Sequence, residues 1–366
     1  MMDFSETTKE LIATLKKYNS LLVCIKGSPD PDAIASSLAL KIISDKHGIK
    51  TDIIAFTETS LPQNKAIIDE FHIPIHFEKS ISHILNHDAY AVLDHQSAYI
   101  KDIPSTIPCA IHIDHHEIVN DSVNVDFKII MEEVGSVSTI MALFLHELEI
   151  ELDECQLKAV STALLYGIQT DTDNLKHANE LDYEAIKYLS RNSDSEIINR
   201  ITGIPLTRKM IEFLGDAIKN KYIYKDWLIT GIGFIDESYR DNIAIIADFL
   251  LNREDVTTVI VFAGIRKNKK RGLTLDASIR TEDENIDLNE LIKKISSEGG
   301  ARRYKGAYQI DMDYFTNCPD QNLLWTIINN TTIEVFKKQR DIIYLIELKG
   351  FFNKYKNRIK KFIYGK

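Results

Sequence analysis

The stretch Ile113-Asp114-His115-His116 ends a short apolar run with one acid and two adjacent histidines. The run that precedes the acid, 108–113, has the length and composition of a buried strand. In an open parallel α/β sheet, ligands bind outside the carboxyl ends of the strands. The stretch therefore predicts a parallel α/β sheet with a polar site at its edge, although the two histidines could instead simply cap backbone groups.

Further acids follow the same pattern elsewhere in the chain. Asp30 and Asp32 lie in the loop after the first apolar run, Asp94 follows another such run, and Asp171 lies where a predicted helix meets a loop. Each acid alone is a weak signal, because an aspartate after a strand is commonly a turn or cap residue, and Asp32 is also the predicted N-cap of a helix that begins at Ala33. Together they predict crowded carboxylates, whose repulsion a cation would relieve. Carboxylates with imidazole suit manganese, magnesium or zinc better than calcium.

The overall composition narrows the class of protein. A length of 366 residues exceeds what one hydrophobic core usually supports, which predicts two domains. A net charge of −10 argues against a protein that coats nucleic acid over a wide surface. The four cysteines are scattered without a CxxC pair, the first residues do not resemble a signal peptide, and no apolar run reaches membrane-spanning length. We expect a cytoplasmic protein.

The order of the predicted elements divides the chain into four parts. Strands alternating with helices predict a parallel-sheet α/β domain with helices on both faces at 1–192, which would hold the metals. The polar stretch 193–215 is a predicted linker, and a smaller mixed-sheet α/β domain is predicted at 216–315. The last part, 316–366, predicts a helical basic extension, either with a solvated face or in contact with a polyanion or anionic surface.

The acid-bearing stretches resemble the motifs of the DHH phosphoesterase superfamily, in its subgroup of oligoribonuclease and exopolyphosphatase-related proteins. They occur in the family's order, as Pro29-Asp30-Pro31-Asp32-Ala33-Ile34-Ala35-Ser36, Val92-Leu93-Asp94-His95, Asp114-His115-His116 and Gly167-Ile168-Gln169-Thr170-Asp171-Thr172. The second half of the chain is similar to the DHH-associated substrate domain, through Ala277-Ser278-Ile279-Arg280 and a Gly299-Gly300 turn.

The resemblance implies a phosphoesterase with a defined metal shell. Asp94 would bridge two manganese ions, with magnesium as the alternative metal. Asp32, His115 and Asp171 would complete the shell of the second ion, and Asp30 would bind the first. The bound metal would activate a water molecule for attack on phosphorus.

The resemblance also implies which residues meet the substrate. His116 would face the scissile phosphate, with Asp114 beside it in the same motif. In the second domain, a guanidinium and the backbone amides of a glycine turn suit a terminal phosphate or nucleotide. The residues assigned to the substrate are Ser278, Arg280, Gly299, Gly300, Arg302 and Arg303. The substrate would be a short oligoribonucleotide, a dinucleotide or a nucleotide phosphate, and a homodimer is left open.

Two residues depart from the family pattern. Most relatives have a histidine ligand four residues before the first aspartate, where this chain has Lys26, and a histidine where it has Arg302. A protonated lysine cannot bind a metal, but it can occupy the first metal's place as a fixed cation. We therefore expect the first metal position to be empty or weak. An exopolyphosphatase and a nucleotide-binding regulatory protein with reduced catalysis remain alternatives.

Overall fold

A computed structural model describes most of the chain and divides it into two compact units. Unit 1 is Met1–Pro205 and unit 2 is Leu206–Lys366. The division falls inside the predicted linker, although that stretch also contains helical residues of both units. The residues described are 4–59, 61–78, 86–101, 103–116, 122–252, 254–267, 272–297, 299–301 and 303–364, with side chains as far as 345.

Unit 1 is built on a six-stranded parallel sheet in the order β3-β2-β1-β4-β5-β6. The chain adds strands on one side of β1 and then returns to the other side, so the strand order reverses between β1 and β4. The carboxyl ends at such a reversal form a natural ligand crevice. The strands are β1 (Ser20–Ile25), β2 (Lys50–Ala55), β3 (Ile75–Phe77), β4 (Ala89–Leu93), β5 (Cys109–Asp114) and β6 (Val125–Ile130).

The central strands β1, β4 and β5 bury both of their faces. On one face, Leu21, Val23 and Ile25 join the main core with the helices, because alternate side chains of a strand point the same way. On the opposite face, Leu22 and Cys24 pack with residues that include some from 98–107. The sequence also predicts a short helix at 80–86, and all of these residues except Asn86 lie outside the described part of the chain. The helices of unit 1 are α1 (Phe4–Leu15), α2 (Pro31–Lys46), α3 (Pro62–Glu70), α4 (Val137–Leu148), α5 (Glu154–Asp171), α6 (Glu180–Leu189) and α7 (Ser195–Thr202).

Unit 2 contains a mixed sheet in the order β11-β12-β10-β9-β8-β7, in which only β8 and β9 pair in parallel. The predicted class, a parallel α/β domain followed by a mixed-sheet α/β domain, is confirmed. The elements are α8 (Arg208–Lys219), β7 (Tyr222–Tyr224), β8 (Trp227–Asp236), α9 (Asn242–Leu251), β9 (Thr258–Lys267), β10 (Gly272–Thr281), α10 (Leu288–Lys293), β11 (Gly299–Ala301), β12 (Lys305–Asp311) and α11 (Gln321–Tyr364).

The helices of unit 2 cover both faces of its sheet. Met210 of α8 and Ile246 of α9 pack with one face. Leu291 of α10 and Phe336 of α11 pack with the other. Within the part of the chain that the structure describes, no helix has both the length and the apolar character needed to cross a membrane.

Candidate metal centre

The strand ends of unit 1 bring the predicted acids to the strand-order reversal. Asp94 directly follows β4, and its backbone amide donates to the Ile113 carbonyl of β5 at 3.0 Å. Its φ of 52° lies in the left-handed region, which aspartate tolerates better than most residues. His115 and His116 directly follow β5, and Asp171 is the last residue of α5. Residues far apart in the chain therefore meet at one edge of the sheet.

Four of the predicted ligands form one compact group. Asp32, Asp94, His115 and Asp171 each place a ligand atom so that all four atoms lie within 4.8 Å of one another. The His115 Nε2 atom lies 3.0 Å from Asp171 Oδ2 and 3.5 Å from Asp94 Oδ1. A second group joins Asp94 and His115 to His116. Carboxylate oxygens with imidazole nitrogen form a donor set that suits a transition-metal ion or magnesium.

Each histidine of the motif is oriented through its Nδ1 atom. His115 Nδ1 lies 3.3 Å from the Val134 carbonyl, which turns Nε2 toward the carboxylates. His116 Nδ1 lies 2.5 Å from Asp114 Oδ1. Burial alone would raise the pKa of Asp114, but the hydrogen bond and charge of His116 outweigh it and hold this pKa below its usual range. A carbonyl or carboxylate bonded to the far nitrogen fixes the tautomer of a ligand histidine.

The structure corrects the predicted cap of α2. The N-cap is Asp30 rather than Asp32, because Asp30 Oδ1 accepts from the Ala33 amide at 2.9 Å and Pro31 takes the first helical position, where its missing N–H costs no bond. Asp32 lies fully buried in the first turn, where it accepts from the amides of Val137 and Ser138 at 2.8 and 2.7 Å. Those amides open α4, so Asp32 connects two helices. Asp30 belongs to neither of the two groups of ligand atoms found among the described residues.

The carboxylates destabilise one another in the absence of a cation. Burial, followed by the charges of Asp94 and Asp171, raises the pKa of Asp32 to about 7. Burial and the same neighbours raise the pKa of Asp30 well above its usual range. A divalent cation among these side chains would reverse the shift, because it favours the charged carboxylates. The residues present therefore fit a metal ion.

Lys26 follows β1 and contacts the loop after β4. Its ammonium donates to the carbonyls of Ser97 and Tyr99 at 2.9 and 2.6 Å. Burial and the Lys26 charge lower the pKa of His95 to about 4, so this histidine is neutral. His112 is fully buried, and its Nε2 lies 2.7 Å from the His95 carbonyl.

Two of the predicted substrate residues, Arg280 and Arg303, contact other side chains of unit 2. Arg280 contacts Asp248 through Nε at 2.5 Å and Nη2 at 3.3 Å, and its Nη1 donates to Ser278 at 2.8 Å. Arg303 is exposed, with Nη2 at 3.6 Å from Glu284. Arg302 lies outside the described residues.

The Gly299-Gly300 pair is a strand rather than the predicted turn. It pairs with Tyr308 and Ala307 of β12. A Cβ atom at Gly299 would come within 2.5 Å of Ile292 Cγ2, so the glycine permits α10 to pack close to this edge.

Sequence reasoning missed the groups that hold the ligands. The Val134 carbonyl and the first amides of α4 are backbone atoms, and any residue could supply them. The Ser136-Val137-Ser138-Thr139 stretch does signal a helix start, with Ser136 as the N-cap. Nothing in that signal connects the start of α4 with Asp32.

The chain is similar in sequence to two proteins of Methanocaldococcus jannaschii. It is 31% identical over 316 residues to uncharacterized protein MJ1633, a match that covers 86% of this chain and 62% of the relative. It is 30% identical over 197 residues to uncharacterized protein MJ0988, which covers 50% of this chain and 54% of the relative. The chain thus spans less than two thirds of the length of these relatives. No family model matches it.

One solved structure is similar over nearly the whole chain. An exopolyphosphatase-related protein from Bacteroides fragilis aligns with a TM-score of 0.69 at 16% identity, over 93% of this chain and 98% of that one. This likeness confirms the fold that the resemblance in sequence implied.

Proposed function

We propose that this chain, which has the fold of the DHH phosphoesterase superfamily, is a metal-dependent hydrolase of phosphate esters. The observation that carries the proposal is the group of Asp32, Asp94, His115 and Asp171, whose ligand atoms lie within 4.8 Å of one another. We further propose manganese as the metal, with magnesium as the alternative. A divalent cation held there would supply charge to activate water and to stabilise the phosphoryl group.

The protein's own groups would orient the reaction. His115 and Asp32 are held by backbone groups before a substrate arrives, which lowers the cost of ordering them. The hydrogen bond to Asp114 holds His116 Nδ1, so His116 Nε2 is the atom that we assign to the scissile phosphate. Asp114 thereby positions His116 rather than binding the metal.

For the substrate, we propose a short oligoribonucleotide, a dinucleotide or a nucleotide phosphate. Inorganic polyphosphate is the second candidate, favoured by the likeness to the exopolyphosphatase-related protein. Assaying a ribodinucleotide, a nucleoside bisphosphate and polyphosphate with manganese, with magnesium and with a chelator tests these candidates. Hydrolysis that requires a metal supports an enzyme, and the best substrate separates the two classes. Nucleotide binding without hydrolysis under any of these conditions would instead favour a regulatory protein.

We predict one tightly bound manganese ion per chain. Lys26 replaces the family's first-metal ligand, and Asp30 is engaged as the cap of α2. Metal analysis after dialysis measures the number, and Lys26→His should raise it toward two. Lys9→His is the matched control on the exposed face of α1 and should leave the number unchanged. Two fully occupied ions in the unmodified protein would contradict the prediction.

We predict that Arg280→Ala raises KM about tenfold for the substrate identified in the panel. A charge-assisted contact to phosphate contributes about 1.5–3 kcal/mol, and we expect the lower end because Asp248 shares the guanidinium. Asp248→Asn is the control, because it weakens the same ion pair but leaves the arginine. Equal kinetic effects of the two variants would show that Arg280 acts only through its ion pair.

A further inference from the structure

Asp182 is a fully buried carboxylate that the proposed reaction does not use. It lies in the first turn of α6, where its Oδ2 accepts from the Asn179 amide at 2.9 Å as part of a capping box. Two other contacts come from a distant part of the chain. The Gly135 amide lies 3.0 and 3.1 Å from its two oxygens, and the Thr139 hydroxyl donates to Oδ1 at 2.5 Å. Among the described residues, none of these partners is a charged side chain.

The two distant partners of Asp182 belong to one short stretch, 134–139, which we call the bracing segment. Gly135 lies near its start, and Thr139 lies in the first turn of α4. A side chain at position 135 would not fit, because a Cβ atom would come within 2.3 Å of Thr172 Cγ2 and 2.8 Å of Asp182 Oδ2. The segment is therefore in close contact with the residue that follows Asp171.

The bracing segment also directly contacts two members of the group Asp32, Asp94, His115 and Asp171, which we call the metal group. Its Val134 carbonyl lies 3.3 Å from His115 Nδ1. The amides of Val137 and Ser138 donate to the two oxygens of Asp32. One side chain on α6 thus binds Gly135 and Thr139, which directly follow the groups that contact His115 and Asp32.

We propose that Asp182 is a positioning residue that sets the geometry of the metal group through the bracing segment. The inference rests on the proposed function, because it assumes that the group binds a metal. Asp182 accepts from several donors at once, which a carboxylate can do with both oxygens. An asparagine would keep one acceptor oxygen and replace the other oxygen with an NH2 group. That NH2 group would face the N–H and O–H donors that now bind Asp182, and it could not accept from them. The segment would shift, and the ligands would lose their alignment.

Titration calorimetry with manganese on the full chain tests the proposal. Asp182→Asn should weaken manganese binding about 10- to 100-fold, the usual effect of removing a group that orients metal ligands. With cobalt in place of manganese, its visible absorption bands should change in shape, which reports ligand geometry independently of activity. Thr139→Val removes one donor to Asp182 and should weaken binding less, whereas Thr139→Ser keeps the hydroxyl and should bind like the unmodified protein.

A core variant on the same helix tests whether a loss of stability alone would weaken manganese binding. Leu189 is buried near the other end of α6, so Leu189→Ala should lower the melting temperature and leave manganese affinity unchanged. If Asp182→Asn does not fold, the manganese affinities of Thr139→Val and Thr139→Ser test the proposal instead. Native affinity in Asp182→Asn or Thr139→Val, or an equal loss in Leu189→Ala, would overturn the positioning role while leaving the metal site intact. An unmodified protein that binds no metal would overturn the proposed function itself.

Discussion

We expect Asp94→Asn to lower hydrolysis about 10³-fold while the protein remains folded. Asp94 belongs to both groups of ligand atoms, so losing its charge weakens each of them. A bound metal contributes several kcal/mol to stabilising the transition state, and each 1.4 kcal/mol is about a factor of ten in rate. Asparagine tolerates the left-handed backbone at this position, so the turn is preserved. Removing one of several repelling carboxylates should also not lower the stability of the metal-free protein.

The measurement is kcat/KM together with thermal unfolding and bound manganese. Asp88→Asn is the matched control, because Asp88 directly precedes β4 as Asp94 follows it, and it accepts from the amides of Asn19 and Ser20 at 2.8 and 3.1 Å. This control should cost some stability and no activity. His115→Ala should match Asp94→Asn in lost activity. Near-native turnover with bound metal in Asp94→Asn would remove that residue from the site.

Much of the fold could be predicted from the sequence, and so could the proximity of the residues that we assign to the metal group. Parallel strands buried on both faces appear as continuous apolar runs, and β1 and β4 do so clearly. Such strands share one carboxyl edge, so polar residues that directly follow them, such as Asp94 and His115, must lie near each other. The edge strand β6 was not predicted, because it lacks the continuous apolar run that marks the central strands.

The finer geometry of the site depends on contacts between distant segments. The choice of Asp30 over Asp32 as the cap of α2 becomes clear only when the start of α4 is seen to donate to Asp32. The Lys26 ammonium donates to two backbone carbonyls, which residues of any type could supply, so the sequence does not reveal these contacts. Arg280 was assigned to the substrate by resemblance, and its ion pair with Asp248 joins two elements of unit 2.

The close approach of α5 to α2 leads to a second prediction with a large effect. Gly167 lies one turn before Asp171 on α5, so the two residues share a face of the helix. A Cβ atom at Gly167 would lie 2.4 Å from Ser138 Oγ and 3.2 Å from both Ser138 Cβ and Asp32 Cα. The serine hydroxyl can rotate away, but the Asp32 backbone cannot. A larger residue must therefore push α5 away from α2 and carry Asp171 out of the metal group.

We expect Gly167→Val to destabilise the protein by about 1–3 kcal/mol through overpacking and to lower hydrolysis about 10²-fold, because a misplacement of about 1 Å can have that effect on rate. Denaturant unfolding, manganese affinity and kcat measure the outcome. Gly215→Val is the matched control, since Gly215 lies inside helix α8 and a Cβ atom there meets nothing within 4 Å. That variant should change stability by less than about 0.5 kcal/mol and activity not at all. If Gly167→Val lost stability but kept native manganese affinity, the spacing of α2 and α5 would matter to the core and not to the position of Asp171.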